Sequence, residues 1–380
     1  MIVSYANEVY CVNIDWLQFS VHLGNSTPEI ICPEGYRLEL CQGNNIFEYR
    51  ALVFTEGGQK VLTLLWHPYS SVLPQNLMTC QVANEYLYLN GLGIQWAWEL
   101  LQEIVECTFN AIGRVDICID FQGTPTRTAF LAHLNSNHYY VQGKKEGSTW
   151  WHTLATGAKQ LHCLTWGSQT SEIKVKVYHK SREQGVMNGN KDNASKPYII
   201  TEWENAGLDI TNVWRLEFSL SGVGQLRWNG QLITFANLTD NGWITQVLCE
   251  LYHARFVTRV NQGCRHGHKN EDKRVWLIPL PPRASHLKWQ DTKLERKELP
   301  AAIKVLRTMM AQIDNPAIVS SKAVFTYYAD TIANLIRDYA LEGYFRRVWQ
   351  TTSTEYLGNI AAQAGTGIHK MVASPSRLMS

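Results

Sequence analysis

Arg114-Val115-Asp116-Ile117-Cys118-Ile119-Asp120-Phe121 alternates polar and apolar residues without a break. In an extended chain successive side chains point to opposite faces. Arg114, Asp116, Cys118 and Asp120 therefore share one face, and Val115, Ile117, Ile119 and Phe121 the other. Two later segments repeat the pattern. In residues 173–180, Lys174, Lys176, Tyr178 and Lys180 oppose Ile173, Val175 and Val177. In residues 213–220, Arg215, Glu217 and Ser219 oppose Trp214, Leu216, Phe218 and Leu220. Each segment thus offers an apolar face to a helix layer, and a polar face that is costly to bury unless its groups are paired.

A half-solvated antiparallel sheet would show the same alternation in any one strand. What sets these three apart is that their residue types complement one another. Asp116, Asp120 and Glu217 are hard oxygen ligands suited to Mg²⁺ or Mn²⁺. Tyr178 is a nucleophile, and Lys176 and Lys180 supply positive charge. A phenol titrates near 10 and attacks poorly at neutral pH, so a cation beside it and a divalent ion on a phosphate are the parts that phosphoryl transfer needs. Attack by tyrosine rather than water would conserve the bond energy as a phosphotyrosine and free a 3′ hydroxyl able to prime a polymerase.

Outward from these segments, residues 12–23, 47–54, 61–66 and 85–89 read as strands, the last closed by the Asn90-Gly91 turn signal. Residues 94–109 have helical spacing, with Trp96, Leu100, Ile104 and Cys107 on one stripe. Residues 184–196 read as an exposed Gly- and Asn-rich loop. Beyond about residue 240, residues 243–259, 301–312 and 320–339 read as helices. Residues 277–282, with Pro279, Pro281 and Pro282, read as a linker, and the tail from residue 365 as loosely held. The expected architecture is α+β: a catalytic domain on an antiparallel sheet (residues 1–235), then a mainly helical DNA-binding or accessory region (residues 236–380).

The bulk numbers are compatible with this. A chain of 380 residues with 45% hydrophobic content buries a full core. No run of about 18 uncharged apolar residues appears, and no secretory signal opens the chain, so a cytoplasmic protein with no membrane partner is expected. The 9 cysteines lack a framework spacing and read as reduced thiols. A net charge of +2 leaves nucleic acid open, since the distribution of charge matters more than its sum. Among the 14 Trp and 17 Tyr, most belong to the core, while a few are available to stack on unpaired bases.

At these residues the chain resembles the replication initiators of staphylococcal rolling-circle plasmids and the related proteins of filamentous phages and some relaxases. The strand R-[LIV]-D-x-x-x-D-F is matched by residues 114–121. The G-S/V-x-x-S segment is matched by Gly167-Ser168-Gln169-Thr170-Ser171, and R-[IV]-Y-[ND]-K-x-x-E by Lys176-Val177-Tyr178-His179-Lys180-Ser181-Arg182-Glu183. W-R-[LV]-E is matched by Trp214-Arg215-Leu216-Glu217, and Ile14-Asp15-Trp16-Leu17 looks like the family's first strand. The resemblance covers roughly residues 10–225 and departs at Lys176 (usually Arg) and His179 (usually Asn or Asp). His179 either joins proton transfer or fills space. The paired histidines of the other rolling-circle signature are absent; His266-Gly267-His268 has their spacing but the wrong middle residue.

The resemblance implies that Tyr178 nicks one DNA strand at an origin, with Asp116, Asp120 and Glu217 around Mg²⁺ or Mn²⁺ and with Lys180 and Lys176 on phosphate or phenolate charge. It implies as partners replicon origin DNA, single-stranded at the nick, a host helicase and polymerase, and a second copy in a homodimer. Arg114 and Arg215 are expected to contact DNA. So are Arg255, Arg259, Arg265, Lys269, Lys273 and Arg274, which make residues 253–274 the most basic stretch. The stretch also has Cys249, His253, Cys264, His266 and His268, whose spacing matches no standard zinc pattern. A relaxase with the same chemistry and a DNA-binding protein that has lost catalysis stay open. Geometry separates the last: a catalytic Tyr178 lies near a carboxylate cluster and does not point into the apolar core.

Overall fold

The computed structural model describes residues 1–26, 28–70, 73–89, 92–134, 139–141, 148–153, 156–167, 171–221, 226–228, 231–260 and 274–282. The expected helices at 301–312 and 320–339, the Asn90-Gly91 turn, and Arg265, Lys269 and Lys273 lie outside the described residues.

The strands are β1 (Ile2–Tyr5), β2 (Glu8–Leu23), β3 (Tyr36–Gln42), β4 (Phe47–Thr55), β5 (Lys60–Pro68), β6 (Leu77–Val82), β7 (Cys107–Gln122), β8 (Tyr139–Val141), β9 (Ser148–Thr153), β10 (Lys159–Trp166), β11 (Ile173–His179), β12 (Val213–Ser221), β13 (Arg227–Trp228), β14 (Gln231–Leu232), β15 (Thr258–Val260) and β16 (Arg274–Val275). The helices are α1 (Asn84–Leu87), α2 (Leu92–Ile104), α3 (Pro125–His133), α4 (Lys180–Glu183), α5 (Pro197–Asn205), α6 (Phe235–Thr239) and α7 (Asn241–Arg255). Eleven strands form one antiparallel sheet in the order β3-β4-β5-β6-β2-β7-β12-β11-β10-β9, with β1 paired to β2. A large antiparallel sheet with several helices is the α+β class that the alternation predicts.

The apolar face of β7, β11 and β12 (Ile117, Ile119, Val177, Leu216 and Phe218) builds the main core. The stripe Ile94, Ala97, Leu100, Leu101 and Ile104 of α2 joins it, as do Ile244, Val247, Leu248 and Leu251 of α7. Helix α7 therefore packs into the same core as the sheet. So does the segment expected to be a linker: Leu277, Ile278 and Leu280 are buried, and Tyr252 donates to the Ile278 carbonyl at 2.8 Å. On the opposite face a smaller cluster forms around Cys11, Ile199, Ile200, Trp203 and Val213, where α5 covers one end of the sheet.

Other boundaries shift. Residues 85–89 are not a strand, because α1 occupies most of them. The helix expected over 94–109 stops at Ile104, where the Cys107-Thr108-Phe109 run passes into β7. Likewise α7 ends at Arg255, and Thr258 opens β15. In each case an apolar spacing continued across a junction between elements, and the ladder on the far side took the residues. Residues 184–196 are turns and a short 3₁₀ segment, largely exposed, but anchored by buried Gln184 and Val186.

Candidate functional site

Register gathers the polar residues into rows. Directly opposed residues share a face, so Cys163 of β10, Tyr178 of β11, Arg215 of β12, Asp120 of β7 and Cys11 of β2 lie side by side. The next row pairs Lys176 with Glu217 and Glu217 with Cys118.

Tyr178 faces this polar side, away from the main core. Its hydroxyl donates to Glu217 Oε2 at 3.0 Å and accepts from Lys180 Nζ at 3.2 Å. Lys176 Nζ stands 4.2 Å above its ring centroid, a cation–π contact. The ring is 4% exposed. Burial, and then the charge of Glu217, hold the phenol well above its ordinary pKa, with Arg215 pulling the other way. The phenol therefore keeps its proton at rest, on a hydrogen bond to a carboxylate. Burial and the neighbouring Asp15 charge raise Glu217 itself, against the pull of Lys176. Burial and Arg215 lower Lys180, while Asp15 and Glu183 support its charge. Lys180 Nζ pairs with Glu183 Oε2 at 2.5 Å.

Lys180 is positioned by the end of β11. His179 there caps α4: its Nδ1 accepts from the Arg182 N–H at 3.3 Å. Its ring packs 4.8 Å from that of Trp214 on the apolar side. Burial lowers its pKa to about 4. Of the two roles open to His179, the contacts here are those of a neutral, structural cap.

Directly opposite Tyr178 on β12, Arg215 is fully buried. Its guanidinium holds Asp120 through Nε at 2.5 Å and Nη2 at 2.7 Å, and Asp15 through Nη1 at 2.6 Å. It also donates to Tyr88 Oη at 2.8 Å. Trp203 Nε1 donates to Asp120 Oδ2 at 2.8 Å, and Tyr88 Oη donates to Asp15 Oδ1 at 2.8 Å. Arg215 thus has no surface to offer DNA. Its expected phosphate contact is replaced by buried ion pairs. Burial alone would raise Asp15, but Arg215 and then Lys180 hold it far below the usual carboxylate range.

The three carboxylates read as metal ligands share the face but not their partners. Asp120 is occupied by Arg215 and Trp203. Both oxygens of Asp116 accept from Arg114, at 2.9 and 2.6 Å, and only Glu217 turns to Tyr178. Among the described residues no group of three or more His, Cys, Asp or Glu side chains is placed to hold a metal ion. As arranged, the expected donor set does not fit a divalent ion. Arg114 is partly exposed and lies 4.7 Å over the ring of Trp16. Arg255, Arg259 and Arg274 belong to the layer of α7, β15 and β16 on the opposite side of the sheet. There Arg259 stands opposite Arg274, and Arg274 donates to the His253 carbonyl at 2.7 Å.

No protein-family model matches the chain, and no curated protein does. Among solved structures it is similar to the rolling circle replication initiator protein from Geobacillus stearothermophilus. That likeness has a TM-score of 0.40 and 14% identity, over 72% of this chain and 92% of that one. It speaks to no individual residue. No helix among the described residues is long and apolar enough to cross a membrane.

Several site residues carry no signal in the alternation. Asp15 sits at a register shift between Ile14 and Trp16 on β2, and only its place in the first-strand motif marks it. Tyr88, Trp203 and Asn84, whose Nδ2 donates to Asp15 Oδ1 at 3.0 Å, come from helical or turn segments far in sequence. What the cluster offers chemically is a tyrosine oxygen between a proton acceptor and the Lys180 ammonium, with the Lys176 ammonium over the ring.

Proposed function

We propose that this chain cuts and rejoins one DNA strand by transesterification through Tyr178, as a rolling-circle replication initiator does. The observation that carries the reading is the Tyr178 hydroxyl held between Glu217 and Lys180 on the polar face of the sheet. The serial match of residues 114–121, 176–183 and 214–217 to the initiator motifs supports it.

In this reading Glu217 takes the phenolic proton as the Tyr178 oxygen forms a bond to the scissile phosphorus. The bond from phosphorus to the 3′ oxygen breaks, and that oxygen leaves with the electron pair and gains a proton from solvent. The strand keeps a free 3′ hydroxyl, and its 5′ phosphate stays on Tyr178. The reverse attack rejoins it. Lys180 and Lys176 lower the cost of the developing phenolate and of phosphate charge in a buried setting, where such contacts count for more than in water. Glu217 is thus read as a proton acceptor. The partners that follow are origin DNA, unpaired at the nick, and a host helicase and polymerase; a homodimer would place two such tyrosines at one origin.

The test is nicking of supercoiled replicon DNA carrying its origin, in buffer with Mg²⁺ or Mn²⁺, by wild type and Tyr178→Phe. Wild type should yield a nicked strand linked to protein, and the variant none. Equal nicking by both would overturn the assignment of Tyr178.

A further inference from the structure

Strand β9 closes one end of the sheet, and every residue in it is exposed. Trp150 is 64% exposed, an unusual site for an indole unless it is used. Its position is set by register. Trp150 opposes Cys163, and Cys163 opposes Tyr178. A shift between Leu161 and Cys163 turns Leu161 into the apolar core while Cys163 stays on the polar face. Trp150 therefore stands on the Tyr178 face, two strands away, at about 10 Å from spacings of about 4.8 Å. Trp151, its neighbour, points to the other face.

Between the two rings lies Cys163, and cations flank it in the rows to either side. Lys176 is partly exposed on β11. Arg182 reaches over β10 and donates to Gln160, the residue opposite His152. Around the bulge residue His162, the cationic neighbours are Arg182 and Lys176, opposed by Glu183. An exposed indole beside ammonium and guanidinium groups is what an unpaired nucleic acid strand needs, since every base has a face to stack and every link a phosphate to neutralise.

We propose that Trp150 is a stacking platform for an unpaired base of the DNA strand held at Tyr178. This rests on the nicking reading. The span of about 10 Å corresponds to roughly three stacked nucleotides at about 3.4 Å each. The platform would hold the strand in line across β10, with its phosphates along Lys176 and Arg182. It adds a preference for single-stranded over duplex DNA that the lysines alone do not provide.

The experiment measures binding apart from cleavage. Full-length Tyr178→Phe protein is titrated against a labelled oligothymidylate and against a duplex of equal length, by fluorescence anisotropy at fixed salt. Adding Trp150→Ala should weaken oligothymidylate binding about 5- to 150-fold and leave duplex binding within about twofold. Trp150→Phe should keep most of the affinity, and Trp151→Ala on the other face should change neither. The proposal is overturned if the parent protein does not bind oligothymidylate. It is equally overturned if Trp150→Ala binds it unchanged, if both DNA forms lose affinity alike, or if Trp151→Ala causes the same loss. Sedimentation showing that Trp150→Ala dissociates an oligomer while single-strand binding holds would instead mark β9 as a contact between copies. The nicking assay on Tyr178 is independent of all these outcomes, so either idea can fail alone.

Discussion

Two clusters lie side by side on the same face of the sheet and are built on opposite terms. Around Arg215, both carboxylates are taken up by one guanidinium, and Trp203 and Tyr88 add a further donor to Asp120 Oδ2 and Asp15 Oδ1, oxygens that Arg215 also holds. Around Tyr178 the partners are unequal. One carboxylate, raised by burial, faces a phenol also raised by burial, with Lys180 on the hydroxyl and Lys176 over the ring. In the first cluster Arg215 and Asp120 are sealed from solvent, and Arg215 Nη1 meets Asp15 as an ion pair without a directed hydrogen bond. The second has charge poised to move. Both clusters are buried and charged, so burial and charge do not by themselves mark a reactive site; what sets the Tyr178 cluster apart is a phenol held between a carboxylate and an ammonium.

The largest effect should come from Arg215→Met. It leaves the buried Asp120 without its counter-charge and Asp15 with only the lysine charges near it, which costs about 3–5 kcal/mol, so urea denaturation should show a large fall in midpoint or no folded state. A midpoint close to wild type would erase the contrast between the clusters. Next, Glu217→Gln should lower single-turnover nicking by about 10²- to 10⁴-fold, the usual weight of a proton acceptor. Its thermal midpoint should hold or rise, because an ionised carboxylate is removed from a buried site. A large loss of stability with normal nicking would move Glu217 into the structural group.

His179 sharpens the comparison at the junction of the two. It is neutral in the fold, with its pKa lowered to about 4 against about 6.5 in the unfolded chain. As pH falls through 6.5 the unfolded chain binds the proton first. The contribution is full above about pH 6.5 and is lost progressively toward pH 4, about 3 kcal/mol in all. Buried Glu217 and Asp116, raised in the fold, act in the opposite sense over part of this range. The measurement is therefore the difference in urea stability between wild type and His179→Gln at each pH. That difference should shrink from pH 7 to pH 4, and a constant difference would remove the neutral-cap account. The smallest effect belongs to Lys176→Met: the contact over the Tyr178 ring is worth about 0.5–2 kcal/mol. Nicking should slow by roughly twofold to thirtyfold, with any fall in stability no larger than that contact.

Much of the site could be read from residues alone. The period-two alternation put Tyr178, Lys176 and Glu217 on one face, and the ladder keeps them there. It also placed Asp116, Asp120 and Arg215 on that face but could not say who pairs with whom. A charge in an alternating strand looks the same whether it meets water, metal, DNA or an arginine on the next strand. Arg215 was therefore read as a DNA contact and is a buried pair. Strands β9 and β10 had too little regular alternation to stand out, because a bulge at His162 breaks the period. With them went the setting of Trp150. Residues 277–282 read as a linker because prolines mark turns, yet Leu277, Ile278 and Leu280 fill the core that α7 leaves open.

What the sequence determined by itself is local: which segments are extended, which side chains share a face, and which face is apolar. These follow from the geometry of one chain. What only the tertiary structure decided is the neighbour across the ladder and the layer above it. Strand order sets Arg215 beside Asp120, the bulge at Asp15 turns that carboxylate onto the same guanidinium, and α5 lowers Trp203 onto the pair. Those contacts join residues up to two hundred positions apart, and their strength comes from the exclusion of water, which exists only once the layers have closed.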